Sequence, residues 1–130
     1  MGREGTVPFE LKIIPGETLA RIRGWGKEDF ASTLAAMRSV AADSRLLPDM
    51  PVLMDARELD YLATPPEVSS LAAPNAMPTL FGRHRLAILV RRGAQFGVAR
   101  VFAAKAESAG AQVEVFAEEH LALAWVKGER

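Results

Sequence analysis

Two short, uninterrupted apolar runs constrain the fold of this chain more than any other feature of its sequence. They lie at residues 52–54 and 86–90. Runs of this length without polar residues are typical of strands that are buried on both faces, in the middle of a sheet covered by helices. We therefore predict two central strands, the first of which ends at Asp55.

The segments around these runs alternate between strand and helix patterns. Residues 9–14 and 18–25 show the period-two alternation of half-buried strands, with a turn at residues 15–16, whereas apolar residues in 27–43 and 95–109 recur at helical spacing. The predicted order is strand 9–14, strand 18–25, helix 27–43, strand 52–55, a short helix after Thr64, strand 86–90, helix 95–109, a half-exposed strand around Val113 and Val115, and a last helix over 121–126.

These elements predict one α/β domain over residues 1–130, in the order β-β-α-β-α-β-α-β-α. Helical crossovers join parallel strands, whereas a short turn joins antiparallel ones. We therefore expect a mixed sheet of about five strands, with an opening antiparallel hairpin followed by parallel strands. In the first helix, Phe30, Leu34, Met37 and Ala41 form the stripe that we expect to face the sheet.

Two prolines make residues 73–82 unsuitable for a regular helix. This segment carries Met77, Leu80 and Phe81. Their side chains could be part of the core, form a lid over an apolar cavity, or form a patch for a partner or a second copy of the chain. If they do not belong to the core, we favour dimerisation over the other uses.

Composition excludes several classes of function. Sixteen basic and sixteen acidic residues cancel, so no overall field attracts the chain to nucleic acid or to an anionic membrane. The absence of cysteine excludes disulfides, thiolate nucleophiles and cysteine-bound zinc. No apolar stretch has the length of a membrane span or a secretory signal. We expect a cytoplasmic protein without a metal or other cofactor.

Several segments together resemble the SpoIIAA-like group, relatives of the STAS domains of anti-sigma-factor antagonists and sulphate transporters. The resemblance covers nearly the whole chain and depends on the opening strand pair and on residues 51–55, 86–90, 96–100, 115–116 and 122–125. It implies a small regulatory domain that binds a protein partner and belongs to an uncharacterised bacterial branch of the family.

The resemblance also implies a phosphorylation switch at the helix that follows the third strand. Anti-sigma-factor antagonists carry an Asp-Ser-Ser-Gly run there, and counting from Asp55 without gaps places the serine position on Thr64. This chain departs from the pattern, with Ala63 in place of the aspartate and Pro65 and Pro66 in place of serine and glycine. Thr64 is the candidate phosphorylation site, and an ordinary helix cap is the alternative role.

A candidate ligand site follows from the predicted ends of the two central strands. Ligands of open α/β sheets bind outside the carboxyl ends of parallel strands. The side chains there are Asp55, Arg57, Tyr61, Arg91 and Arg92, and the last two precede a helix start that favours anions. The alternative is a solvated rim of ion pairs.

The leading hypothesis is a non-enzymatic regulatory or protein-interaction domain that acts with a protein partner or as a homodimer. The second is a domain that binds an anion or an apolar small molecule at the strand ends. An enzyme ranks third and would require Asp55, Asp60, Tyr61 and His84 to converge. No serine has a nucleophile-elbow context, and neither histidine has metal-ligand spacing.

Overall fold

The computed structural model of the chain describes residues 9–14, 19–73 and 84–128. Within these ranges, five strands and four helices follow the predicted order, which confirms the fold class. The elements are β1 (Phe9–Ile14), β2 (Leu19–Lys27), α1 (Phe30–Ala41), β3 (Val52–Asp60), α2 (Pro65–Leu71), β4 (Arg85–Leu89), α3 (Ala94–Ser108), β5 (Gln112–Phe116) and α4 (Glu119–Val126).

The strands form a mixed sheet in which they lie side by side in chain order. β1 pairs with β2 in antiparallel orientation, with Phe9 opposite Gly24, and the pairs β2–β3, β3–β4 and β4–β5 are parallel. Each parallel crossover advances by one strand in the same direction, so right-handed connections place α1, α2 and α3 on one face of the sheet. The turn predicted at residues 15–16 lies outside the described residues.

The larger of the two cores lies between the sheet and these three crossover helices. Its strand residues alternate with residues that face the opposite side, as the pleat of a strand requires. The exception is in β3, where a register shift against β2 brings both Ala56 and Leu59 to this face. The buried apolar helix residues are Ala36, Met37 and Val40 of α1, Val68 and Leu71 of α2, and Phe102, Ala103 and Ala106 of α3. This face therefore carries most of the buried apolar surface of the described residues.

Helix α4 covers part of the opposite face and forms a smaller core. The members of this core are Leu19, Leu53, Ala87 and Leu89 from the strands and Ala122 and Val126 from α4. An arginine holds each end of the helix. Arg21 binds Glu119 at 3.0 Å in the first turn, and the guanidinium carbon of Arg85 lies 4.2 Å from the ring centre of Trp125 in the last. Arg85 also donates a hydrogen bond to the backbone carbonyl of Trp125, where the helix dipole favours a cation.

The third strand is longer than predicted, since β3 continues past Asp55 to Asp60. Ala56 and Leu59 are buried in the larger core, whereas Arg57 faces the other side and pairs with Asp55. Pairing between the charged groups allows a charged sequence to remain in the sheet. The prediction that the strand ends at Asp55 was therefore wrong.

The first helix begins later than predicted, because β2 extends through Lys27 and Asp29 caps α1. The Asp29 carboxylate accepts the Ser32 backbone N–H at 2.9 Å, and the Ser32 hydroxyl accepts the Asp29 N–H at 3.3 Å. The buried face of α1 differs from the predicted stripe by a shift of about one residue. Met37 is fully buried as predicted, but the other fully buried members are Thr33, Ala36 and Val40, while Phe30, Leu34 and Ala41 are partly buried.

We expect the Leu53→Ala substitution to lower the free energy of unfolding by about 2–5 kcal/mol, because the Leu53 side chain is fully buried under α4. Urea denaturation measures the change. The matched control is Leu47→Ala, since Leu47 is 55% exposed and should cost roughly 0.5 kcal/mol or less. Equal costs at the two positions would contradict the assignment of α4 to this face.

Candidate ligand-binding site

An apolar cavity of about 120 Å³ lies between the sheet and the crossover helices, near the carboxyl ends of β3 and β4. We call it the sheet–helix cavity. Its described lining residues are Thr33, Met37, Met54, Ala56, Leu59, Tyr61, Leu62, Ala63, Val68, Leu71, Leu86, Ile88, Val90, Gln95, Val98, Ala99 and Phe102. None of these residues carries a charge. The cavity therefore suits a neutral, largely apolar molecule.

Gln95 fixes the wall of the cavity at the start of α3. Its side-chain amide donates to the backbone carbonyls of Ala56 at 2.9 Å and Leu59 at 3.3 Å. Its amide oxygen accepts the backbone N–H of Arg91 at 2.6 Å. A buried amide with partners on both ends is favourable in an apolar setting. Gln95 thus joins α3 to the end of β3 and leaves little of its own hydrogen-bonding capacity unused.

Tyr61 follows β3 and lines the cavity with its ring, while its hydroxyl donates to the Glu67 carboxylate at 2.9 Å. Burial is the main cause that raises the pKa of Tyr61, and the hydrogen bond to Glu67 and the charge of Glu67 raise it further. The pKa of Glu67 is lowered by the backbone N–H of Thr64 and then by the Tyr61 hydroxyl. Tyr61 therefore stays protonated at neutral pH and is a poor acid–base catalyst there.

Thr33 contributes a hydroxyl to the cavity wall. The residue is 5% exposed, and its Oγ1 has no hydrogen-bond partner in the described part of the chain. Neither Thr33 nor Gln95 was among the candidates from the sequence. The only signal for Thr33 was its position one helical turn before Met37, which the predicted stripe did contain.

The structure divides the predicted strand-end group between two faces of the sheet. Tyr61 lies at the cavity, whereas Asp55 and Arg57 lie on the opposite face, toward α4. Arg57 binds Asp55 through two hydrogen bonds, of 3.0 and 2.8 Å, and reaches Glu119 at 3.1 Å. Arg21 completes the group, 4.0 Å from Asp55. This charged cluster joins β2, β3 and α4.

The two other predicted ligand residues, Arg91 and Arg92, lie just before α3. Arg91 donates to the backbone carbonyls of Arg57 and Leu59, and Arg92 pairs with Glu118 at 2.7 Å. Gly93 follows with a φ of 95°, which favours glycine, and α3 has no side-chain cap. Both arginines thus have partners within the chain, and anion binding here stays a prediction.

Thr64 caps α2, as its spacing to Glu67 predicted. Its hydroxyl accepts the Glu67 backbone N–H at 3.4 Å, and the Glu67 carboxylate accepts the Thr64 N–H at 3.0 Å. Thr64 is exposed. Its phosphorylation stays a prediction, and a phosphate there would lie close to the Glu67 carboxylate.

The remaining predictions concern the partner surface, metal binding and membrane-spanning helices. Met77, Leu80 and Phe81, the predicted partner surface, lie outside the described residues. Over the described ranges, no cluster of histidine and carboxylate side chains has the arrangement of a metal site, and no helix is long and apolar enough to cross a membrane.

We expect the charged cluster to make stability depend on pH. Partial burial by itself would raise the pKa of Asp55. The hydrogen bonds from Arg57, followed by the charges of Arg57 and Arg21, outweigh this effect and hold the pKa below its ordinary value of 3.8. The stabilisation by Asp55 is therefore complete well above pH 3.8 and is lost as the pH falls below 3.8 toward the lowered value.

Asp55→Asn should lower the free energy of unfolding by about 1–3 kcal/mol at pH 7 and by less at pH 3. Urea denaturation at both pH values measures the difference. Glu58→Gln is the control, since it removes an exposed ion pair with Arg23 and should change stability by at most roughly 1 kcal/mol. An Asp55→Asn effect that is the same at both pH values would refute this role of the carboxylate.

A protein of known structure has a similar architecture. The chain is similar to a crystal structure of an uncharacterised protein of the DUF3478 family from Shewanella loihica, which is described as having a SpoIIAA-like fold. The TM-score is 0.56, the sequence identity is 19%, and the similarity covers 91% of each chain. No family model and no curated protein matches the chain. At this identity the likeness concerns the fold alone, and the fold of this chain is SpoIIAA-like, as the resemblance implied.

Proposed function

We propose that this chain is a non-catalytic binding domain whose ligand is a small, neutral, largely apolar molecule held in the sheet–helix cavity. The observation that carries the proposal is the cavity itself, which lies near the carboxyl ends of two parallel strands and whose described lining residues carry no charge. Pockets for small molecules are typically apolar, with a few placed polar groups. Among the three hypotheses from the sequence, this is the second, with an apolar molecule rather than an anion as the ligand.

The volume of the cavity limits the size of the group that can fill it. An engineered cavity of about 150 Å³ lined by aliphatic and aromatic side chains stays dry and binds benzene. The sheet–helix cavity has about 120 Å³ and similar walls. A group with about the bulk of one six-membered ring is therefore expected to fill it. Half-buried Tyr61 and Leu62, which is 52% exposed, lie at its outer side.

The absence of catalysis is part of the proposal. Among the described lining residues, the ionisable side chain is Tyr61, whose pKa is raised away from neutrality. The Asp55 carboxylate is on the other face of the sheet, paired with Arg57. Acid–base catalysis needs a group within hydrogen-bond reach of the substrate and with a pKa near the working pH. These contacts support a role in binding.

Binding can be tested by titrating benzene into the protein, with chemical shifts of backbone amides as the readout. We expect saturable binding, with shifts concentrated at α1, α3 and the end of β3. Ala99→Leu should weaken it at least about tenfold, because Ala99 lines the cavity and the larger side chain fills space that a ligand needs.

Ala104→Leu is the matched control, since it makes the same change on an exposed position of the same helix. It should leave the affinity unchanged. Equal losses in the two variants, or no saturable binding to the unaltered protein, would contradict the proposal.

A second candidate is the regulatory, protein-binding role that the family resemblance implied. Exposed Leu62 beside exposed Thr64 favours it, because an apolar side chain next to a modifiable hydroxyl can form the centre of a small interface. The partner would be another protein or a second copy of the chain, in the cytoplasm. Leu62 also lines the cavity, so the two roles would share this side chain.

For this second role, we expect Leu62→Asp to abolish co-purification of a stoichiometric partner, or self-association in analytical ultracentrifugation. Leu47→Asp is the control, because Leu47 is equally exposed at 55% but distant in sequence from Thr64. If both variants keep the partner, or both lose it, Leu62 is not the contact.

A further inference from the structure

We infer that two copies of this chain associate through their β1 strands, which pair in antiparallel orientation across a two-fold axis. β1 lies at one end of the sheet, and within the described residues only β2 pairs with it. Its outer edge therefore presents backbone N–H and C=O groups that can hydrogen-bond to another strand. The inference does not depend on the proposed function, because no residue of β1 is among the described lining residues of the sheet–helix cavity.

Two charged side chains of β1 lack an ion-pair partner in the described chain. Glu10 and Lys12 are exposed on the face of the sheet opposite the crossover helices. Lys12 lies opposite Arg21 of β2, which is also a cation. Glu10 lies opposite Arg23, but Arg23 binds Glu58 instead, at 2.6 Å. Both charges are therefore open to a partner beyond the outer edge of β1.

These charges select one register for the β1 strand of a second copy. In antiparallel pairing across a two-fold axis, the residue on the axis lies opposite its own equivalent, and opposite residues share a face of the sheet. With Leu11 on the axis, Glu10 of each copy lies opposite Lys12 of the other. Phe9 then lies opposite Ile13 on the face of the larger core. With Glu10 or Lys12 on the axis, like charges lie directly opposite, which is destabilising.

Helix α1 leaves room for this arrangement. A two-fold axis perpendicular to the sheet places α1 of both copies on the same face, and α1 packs against β1. Thr33 and Met37 point from α1 toward the sheet–helix cavity, so helix geometry places Ala35 and Ser39 on the opposite flank, toward the β1 edge. Both are small and exposed. The two α1 helices can therefore lie side by side without bulky side chains between them.

The interface is small, and this determines how the dimer behaves. Each copy contributes one strand of six residues and a flank of α1, which is less surface than stable dimers bury. Exposed ion pairs add little and are screened by salt. We therefore expect a weak dimer that forms at high protein concentration and dissociates further as the salt concentration rises.

Sedimentation equilibrium of the full chain at concentrations up to about 1 mM tests the inference. Glu10→Lys brings two lysines opposite each other at both symmetry-related pairs, and Lys12→Glu brings two glutamates together. We expect each change to raise the dissociation constant of the dimer at least about fivefold. The double variant Glu10→Lys/Lys12→Glu restores opposite charges in reversed order, so its dissociation constant should return to within about twofold of the original.

Glu114→Lys is the matched control, since it reverses an exposed charge on β5, at the other edge of the sheet. It should leave the dissociation constant unchanged. A monomer at all concentrations would overturn the inference, and so would single reversals without effect or a double variant that does not recover. Self-association that is lost in Leu62→Asp but kept in Glu10→Lys would place the second copy at Leu62 instead. Benzene binding is measured separately, so either proposal can fail while the other stands.

Discussion

The burial of β3 and β4 on both of their faces is the constraint on which the rest of the structure depends. Val52 and Leu86 point into the larger core, and Leu53 and Leu89 into the smaller one, with almost no exposure in any of the four. A strand buried in this way needs a cover on each side and partners along each edge. The crossover helices, α4 and the flanking strands provide these. The cavity forms where the covering helices do not fully fill the space above the strand ends.

The order of elements could be predicted because each depends on a local pattern. Uninterrupted apolar runs, period-two alternation and helical spacing are all present in short windows of sequence. The end of β3 could not be predicted in this way, because its charged residues are typical of a loop until their ion-pair partners are known. Arg57 and Asp55 neutralise each other beside Glu119, which is 62 residues from Arg57 in the chain. Such a pair can be recognised only in three dimensions.

Prediction from the sequence has the same limit for the candidate site. Tyr61 was identified from its position after a central strand, which is a general property of α/β sheets. Asp55 and Arg57 were grouped with it because the strand was predicted to end at Asp55, and the continued strand instead directs them to the other face. The sequence signal for Thr33 was only its position one helical turn before Met37. What distinguishes the residue is a buried hydroxyl without a hydrogen-bond partner in the described chain, and only the structure shows this.

The position of α4 in the chain has a consequence for how the protein acquires its fold. The helix follows all five strands of the described chain, and its contact between Arg21 and Glu119 spans 98 residues. During synthesis, the apolar surface around Leu53 and Leu89 is therefore complete before its cover has emerged from the ribosome. Contacts so distant in sequence slow folding and leave intermediates with exposed apolar surface. Any intermediate in which α4 has not yet docked therefore exposes this apolar surface to other chains.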